Sequence, residues 1–191
     1  MTKAPVRVAV LISGTGSNLR ALVEGASNAY AVALVLSNRA EAPGLAWAAG
    51  RGIPTIAIPH APYGKDRQAH EAAIDEALRD HDIEVVALAG YMRVLTPWLV
   101  GRWSGRMLNI HPSLLPKYPG LDTHRRALDA GDPEAGCTVH LVSEGVDEGP
   151  VLDQARVPVM ADDTPETLAA RVHEADHRLY PQALSTFCVG L

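Results

Sequence analysis

Two side chains in Asn109-Ile110-His111-Pro112-Ser113 have the types and the spacing for acyl-group chemistry. In an extended segment, residues i and i+2 point to the same face, so the Asn109 amide and the His111 imidazole would stand side by side. An amide donor beside an imidazole can stabilise a developing oxyanion, and the imidazole can also carry a proton. Taken alone, Asn-x-His favours a plainer reading, a buried histidine satisfied by backbone with the asparagine serving a turn. Asp147, in Val146-Asp147-Glu148-Gly149-Pro150, is an ordinary turn aspartate unless it reaches His111. There a carboxylate would favour the charged imidazole and fix its orientation.

Gly14-Thr15-Gly16-Ser17-Asn18 offers a different chemistry. A glycine turn that opens a helix presents free N–H groups and a positive dipole end, which suit phosphate; a simple tight turn explains it equally well. Leu19 stands where a third glycine of the dinucleotide fingerprint would be, and the Walker lysine is absent, so dinucleotide and ATP readings are weak. His173-Glu174-Ala175-Asp176-His177 matches His-Glu-x-x-His, the zinc-protease pattern. No third ligand is evident nearby, and the apolar Val172, Ala175 and Leu179 leave much of the motif facing solvent. With no Gly-x-Ser-x-Gly elbow, direct transfer is expected over a covalent enzyme intermediate.

Strands alternating with helices must position these groups. Strands are expected at Val6–Ile12, Ala31–Leu36, Pro54–Ile58 and Glu84–Ala89, with helices from about Ser17, at Pro43–Ala49 and at Asp66–Asp80. Nearly continuous apolar strands between helices imply an α/β fold, a mostly parallel twisted sheet covered by helices on both faces. Ligands then sit at the carboxyl ends of the strands, where Ser13–Asn18, Ser37–Arg39 and Gly90–Arg93 form polar clusters. Further along, Arg106–Ile110 reads as a strand and Thr123–Ala130 as a helix. Thr138–Val142 and Val151–Val159 read as an antiparallel pair, and Thr164-Pro165-Glu166 as a capped helix start. No linker or repeat interrupts this pattern, so one domain is expected over residues 1–191.

The bulk properties narrow the partners. Charged residues make up 20% of the 191-residue chain and the formal net charge is −5, with no block of Lys and Arg. Nucleic acid is therefore not expected, and a small-molecule partner is. The two cysteines, Cys137 and Cys188, form no Cys-x-x-Cys pair, which fits a reduced, cytoplasmic setting. The N-terminal apolar run is too short to span a membrane and lacks a secretory cleavage site.

Taken together, these segments resemble the folate-dependent phosphoribosylglycinamide formyltransferase family. The resemblance runs from Val8 to about Pro181. It rests on Leu11–Leu19, Ser37–Ala40, Leu88–Leu95, Leu108–Gly120, Val139–Val142 and Asp147–Pro150, in that order and spacing. Within the wider formyl-folate superfamily, the transfer-RNA enzyme carries a further C-terminal domain and the deformylase a further N-terminal one. The deformylase also usually has a second histidine where this chain has Pro112.

The resemblance implies a Rossmann-like formyltransferase fold and a reaction in purine synthesis. In it 10-formyltetrahydrofolate, as co-substrate, gives its formyl group directly to the amine of phosphoribosylglycinamide, without a metal. It implies Asn109, His111 and Asp147 as the catalytic trio. Gly16, Ser17, Asn18, Leu19 and Arg20, with His173 and Asp176, would hold the phosphorylated ribonucleotide. Arg67, Met92, Arg93, Val94, Leu95 and Asn109, with the loop Ser143, Glu144, Gly145, Val146 and Asp147, would hold the folate. Two departures stand out: Asp176 replaces the family's usual glutamate, and Thr138 a common serine, whose hydroxyl it keeps. The chain is also expected to lack a C-terminal tail after its last helix. A homodimer is left open, and the rival readings are a zinc peptidase and a catalytically silent ligand-binding α/β protein.

Overall fold

Alternation along the first strand divides the interior into two layers. In the computed structural model, which describes residues 4–191, β1 spans Val6–Ile12. Its Val8, Val10 and Ile12 enter one apolar cluster, and Ala9 and Leu11 the other. A strand buried on both faces has no polar side to show, which is why its sequence is a continuous apolar run.

The chain winds outward from β1 and then returns. Helix α1 (Ser17–Glu24) leads to β2 (Tyr30–Ser37), and α2 (Pro43–Ala49) to β3 (Thr55–Ala57). Helix α3 (Arg67–Asp80) then crosses back to β4 (Val85–Leu88), on the other side of β1. Helix α4 (Pro97–Arg102) precedes β5 (Met107–His111), and α5 (Thr123–Asp129) precedes β6 (Glu134–Leu141) and β7 (Val151–Pro158). The long helix α6 (Pro165–Val189) completes the order. The seven-stranded sheet runs β3-β2-β1-β4-β5-β6-β7. β1 through β5 are mutually parallel, whereas β5–β6 and β6–β7 are antiparallel.

The α/β architecture expected from the sequence is therefore present, with three differences. The antiparallel part includes the β5–β6 pairing as well as the expected β6–β7 pair. β6 begins at Glu134, four residues before the expected Thr138. Its first half, Glu134-Ala135-Gly136-Cys137, has no strand-like alternation, because Gly136 serves a close approach. A Cβ there would lie 1.9 Å from the Ala155 carbonyl oxygen of β7. Helix α4 and a 3₁₀ turn at Ala61–Tyr63 are additional elements, too short to show a period in the sequence.

Local chemistry explains where the helices start. The Asp66 carboxylate caps α3 by accepting from the Ala69 N–H at 2.9 Å. Thr164 and Thr167 form a reciprocal capping box at the start of α6. Pro181 lies within α6, and the helix continues past it because Ala183, Leu184 and Cys188 remain buried in the core.

Asp75 ties α3 to α4. Its buried carboxylate accepts from Trp103 Nε1 at 3.0 Å, Arg102 Nε at 2.9 Å and Arg79 Nε at 3.0 Å. Burial raises its carboxyl pKa, but the Arg102 and Trp103 hydrogen bonds and the Arg102 and Arg79 charges outweigh that and hold it below the usual value. Both arginines are part-exposed and can return to water, so the main loss in Asp75→Ala is the buried indole N–H left without an acceptor. That variant should lose about 1–3 kcal/mol of unfolding free energy in a denaturant titration at neutral pH. The folded pKa is depressed, so the stabilisation is complete above the unfolded aspartate value of about 3.9 and is lost as pH falls through the lower folded value. Equal midpoints for parent and variant at neutral pH would refute this account.

Candidate active site

Pairing between β5 and β6 assembles the polar centre. The register sets Asn109 opposite His140 and His111 opposite Thr138. The His140 ring is buried, with Nδ1 3.0 Å from the Leu141 carbonyl and Nε2 3.3 Å from Asn109 Nδ2. Nδ1 donates to the carbonyl, so Nε2 accepts from the Asn109 amide, and this contact assigns the amide's orientation. Burial lowers the His140 pKa, the Leu141 carbonyl and Asp147 oppose this in part, and His111 adds to the lowering. We therefore read His140 as neutral and its 3.7 Å approach to Asp147 as a polar contact without an ion pair.

His111 lies between two acceptors. Nε2 donates to the Tyr118 carbonyl at 2.9 Å, and Nδ1 is 3.3 Å from Asp147 Oδ2. With Nε2–H committed to a backbone carbonyl, Nδ1 is the nitrogen that can gain or release a proton. The Asp147 carboxylate is fixed in turn by the Gly120 N–H at 2.9 Å. Tyr118 and Asp147 both have positive φ, 56° and 57°, a sparsely populated conformation for residues other than glycine. The two groups that orient the imidazole thus come from strained backbone.

Two cavities meet at this centre. One, of about 480 Å³, is bounded by Leu88, Arg93–Leu95, His140, Val142 and the loop Ser143–Asp147. The other, of about 840 Å³, is bounded by Asn18, Asp122–His124, Glu166, His173 and Asp176. Asn109 and His111 line both, as do Tyr91, Met92, Gly120 and Leu121. Met92, Val94, Leu121 and Val146 expose apolar side chains around the first cavity. Apolar side chains collected at one mouth are suited to an aromatic or aliphatic ligand.

The second cavity reaches the start of α1. The helical ladder begins with the Arg20 N–H donating to Gly16 O at 2.9 Å, so the amides of Ser17, Asn18 and Leu19 precede it. α2 closes tightly on this turn: Gly44 N–H donates to Gly14 O at 3.1 Å, and a Cβ on Gly44 would meet Ile12 Cδ1 at 2.4 Å. Leu19 belongs to the core and is fully buried, so it does not line the cavity. Ser17 and Arg20 line a separate groove between α1 and α6. Of the residues expected to hold the ribonucleotide, the side chains of Asn18, His173 and Asp176 line the second cavity.

Asp176 is buried beside Asn18, His173 and Cys137. Burial raises its pKa, and the Cys137 thiol, His173 and Asn18 oppose the rise. The histidines of the His-Glu-x-x-His pattern share one helix face and stack edge to face, with ring centroids 4.3 Å apart. Among the described residues, no group of three or more His, Cys, Asp or Glu side chains is gathered to hold a metal ion.

Of the residues expected at the folate, Met92–Leu95 and Ser143–Asp147 line the first cavity with Asn109. Arg67 does not line it; it lies in a neighbouring groove with Met92, Arg93 and Val94 and donates to the Val94 carbonyl. Sequence reading passed over His140, His124, Tyr91 and Gly120 as site residues. His140 stood in a noted segment, but its register opposite Asn109 is a property of the sheet. Ser37–Arg39, noted as a polar cluster at the strand ends, is structural. Asn38 Oδ1 accepts from Ser13 Oγ at 2.6 Å, and Ser37 Oγ accepts from the Arg39 N–H at 3.1 Å.

Comparison with known proteins agrees with this arrangement. The formyl transferase family model matches residues 6–184. The chain is 44% identical to the phosphoribosylglycinamide formyltransferase of Escherichia coli, covering 97% of this chain and 88% of that one. It is 47% identical over 189 residues to the trifunctional purine biosynthetic protein adenosine-3 of Drosophila melanogaster, and covers 14% of that protein's length. The crystal structure of phosphoribosylglycinamide formyltransferase from Brucella melitensis superposes with a TM-score of 0.92 at 51% identity, covering 98% of this chain and 97% of that one. The chain belongs to the formyl transferase family.

Proposed function

We propose that this chain transfers the formyl group of 10-formyltetrahydrofolate to the amine of 5′-phosphoribosylglycinamide. The products are formylglycinamide ribonucleotide and tetrahydrofolate, in purine biosynthesis. The observation that carries the proposal is the seam: Asn109 and His111 line both cavities, with Asp147 behind the imidazole. A group transferred between two small molecules has to pass such a point. The apolar mouth suits the flat folate, and the cavity reaching Asn18 at the start of α1 suits a phosphorylated ribose. The cytoplasm is the proposed setting, with residues 1–191 acting as one formyltransferase domain. Among the described residues no helix is long and apolar enough to cross a membrane.

The chemistry follows from the hydrogen bonds. The free-base amine attacks the formyl carbon, and a C–N bond forms as the carbonyl electrons move onto oxygen. The Asn109 amide keeps a second N–H beyond the one given to His140 and can donate it to the oxyanion, while a protonated His111, its N–H groups held by the Tyr118 carbonyl and Asp147, would add positive charge beside it. The amine's proton passes to the folate nitrogen through His111, Asp147 or a water. The bond between formyl carbon and folate nitrogen then breaks, and the oxyanion collapses to the amide.

Absorbance at the folate chromophore should report consumption of the formyl donor only when phosphoribosylglycinamide is present. Removing the acceptor's phosphate should raise its KM strongly, since the free amides ahead of α1 would lose their ligand. A donor consumed equally well without acceptor would point to hydrolysis and overturn the proposed function. An acceptor indifferent to its phosphate would give the Gly14–Asn18 turn another role.

Metal should not be required. A chelator and the substitution His173→Ala should each leave substantial turnover. Stoichiometric zinc in purified protein, with activity lost on chelation, would favour the peptidase-type motif instead.

Asp147→Asn retains an acceptor for the Gly120 N–H but removes the charge facing Nδ1. It should lower kcat by a factor on the order of 10², the scale of losing acid–base or oxyanion assistance, with little change in either KM. Near-normal kcat would make Asp147 a loop residue, and a large loss of folate affinity at preserved kcat would reassign it to binding.

A further inference from the structure

The wall of the apolar cavity hangs between two buried anchors. At its start, the Met92 N–H donates to Ser13 Oγ at 2.8 Å, and that hydroxyl donates to Asn38 Oδ1. At its end stands Glu71, on α3, a residue only 3% exposed. Glu71 Oε1 accepts from the Thr96 N–H at 2.8 Å, and Oε2 accepts from the Thr96 hydroxyl. Between the anchors, Met92 and Val94 are 72% and 59% exposed, so little packing holds them from outside.

Burial of a carboxylate is costly unless its oxygens are satisfied, and Glu71 spends both on a single residue. Thr96 is moreover the N-cap residue of α4. A threonine there usually turns its hydroxyl onto the helix's first amides, yet Thr96 makes no side-chain cap and points at Glu71 instead. One helical turn earlier, Arg67 on the same face of α3 donates to the Val94 carbonyl. α3 therefore grips the segment 94–96 twice, once by a donor and once by an acceptor.

We propose that Glu71, which lines neither cavity, is a positioning residue for the formyl donor, fixing the Met92–Leu95 wall through Thr96. This rests on the proposed assignment of the apolar cavity to folate. The carboxylate acts by geometry, as a double acceptor. Gln should therefore substitute for it, since its oxygen can accept from the Thr96 N–H while its amide donates to the Thr96 hydroxyl.

The test compares Glu71→Leu and Glu71→Gln with the parent by steady-state kinetics, melting temperature and equilibrium binding of tetrahydrofolate. Glu71→Leu should raise the donor KM and the tetrahydrofolate Kd about tenfold or more, the scale of a small misplacement of a binding surface, with the acceptor KM unchanged. Glu71→Gln should restore both. Thr96→Val keeps the N–H contact and loses the hydroxyl one, so it should show a smaller rise in the same direction and replaces Glu71→Leu if that variant does not fold. A tetrahydrofolate Kd unchanged in Glu71→Leu, or a Gln variant as impaired as Leu, would overturn the proposal. A rise in both KM values alongside a lowered melting temperature would reduce Glu71 to a fold residue and overturn it too. An inactive parent would count against the proposed function instead, and the tetrahydrofolate Kd would still decide the anchor.

Discussion

An imidazole in a cavity wall can rotate, and a rotated ring would take its nitrogens away from the groups that fix its protons. His111 is denied that freedom by acceptors at both nitrogens, the Tyr118 carbonyl at Nε2 and the Asp147 carboxylate at Nδ1. Each acceptor depends on further ties. Ser113 Oγ donates to the Lys117 carbonyl at 2.6 Å, and Arg126 donates to the Pro119 carbonyl at 2.7 Å. The Tyr118 hydroxyl and Lys117 both reach Asp132. The segment that follows β5 is therefore stitched along its length, and its carbonyl at Tyr118 is a fixed point. Asp147 has a looser setting, on an exposed loop, and relies on the Gly120 N–H from that same segment. One stitched loop thus orients the ring through the Tyr118 carbonyl and its carboxylate partner through the Gly120 N–H.

The sheet supplies the complementary constraint. Its strand order reverses between β1 and β4, the place where parallel sheets open a crevice at their carboxyl ends. Ser13, leaving β1, accepts from the backbone of Met92, which follows β4, so a hydrogen bond spans this opening. The loop toward the second cavity and the wall of the first are thereby referenced to one hydroxyl. β5 then brings Asn109 and His111 alongside, and β6, reached through the segment that carries α5 and paired antiparallel to β5, delivers His140 from the opposite direction.

Thr138 shows how a substitution within this frame is tolerated. Its hydroxyl donates to the Ser113 carbonyl at 2.7 Å and accepts from the Leu115 N–H at 3.1 Å and from Gln154 Nε2 at 2.9 Å. Those contacts need an oxygen at Cβ, which threonine retains. Asp176 is a different case. Its carboxylate is buried among Asn18, His173 and the Cys137 thiol, and its Oδ1 has no hydrogen-bonding partner within the chain. A buried acceptor left open beside the second cavity is a group whose energy improves when a donor arrives.

The sequence by itself determined the elements whose signals are local. β1 and α2 have the bounds expected from apolar runs and from proline and glycine, and α3 and α6 begin where a carboxylate and a hydroxyl cap them. The pairing of Asn109 with His111 was legible because two residues along one strand share a face whatever the strand packs against. The assignment of a folate site and a formyl acceptor to particular segments came from family resemblance, since no local rule connects Met92 or Ser143 with a ligand. Tertiary structure alone decided what lies across from these residues. The β5–β6 register made His140 a partner of Asn109, the fold of the 112–120 loop turned the Tyr118 carbonyl onto His111, and Glu71 met Thr96 from a helix 25 residues earlier in the chain. The first and last are contacts between segments distant in sequence, and the second needs a particular fold of the loop between its residues. Each depends on how the chain packs in three dimensions, which the residue types in a local window do not specify.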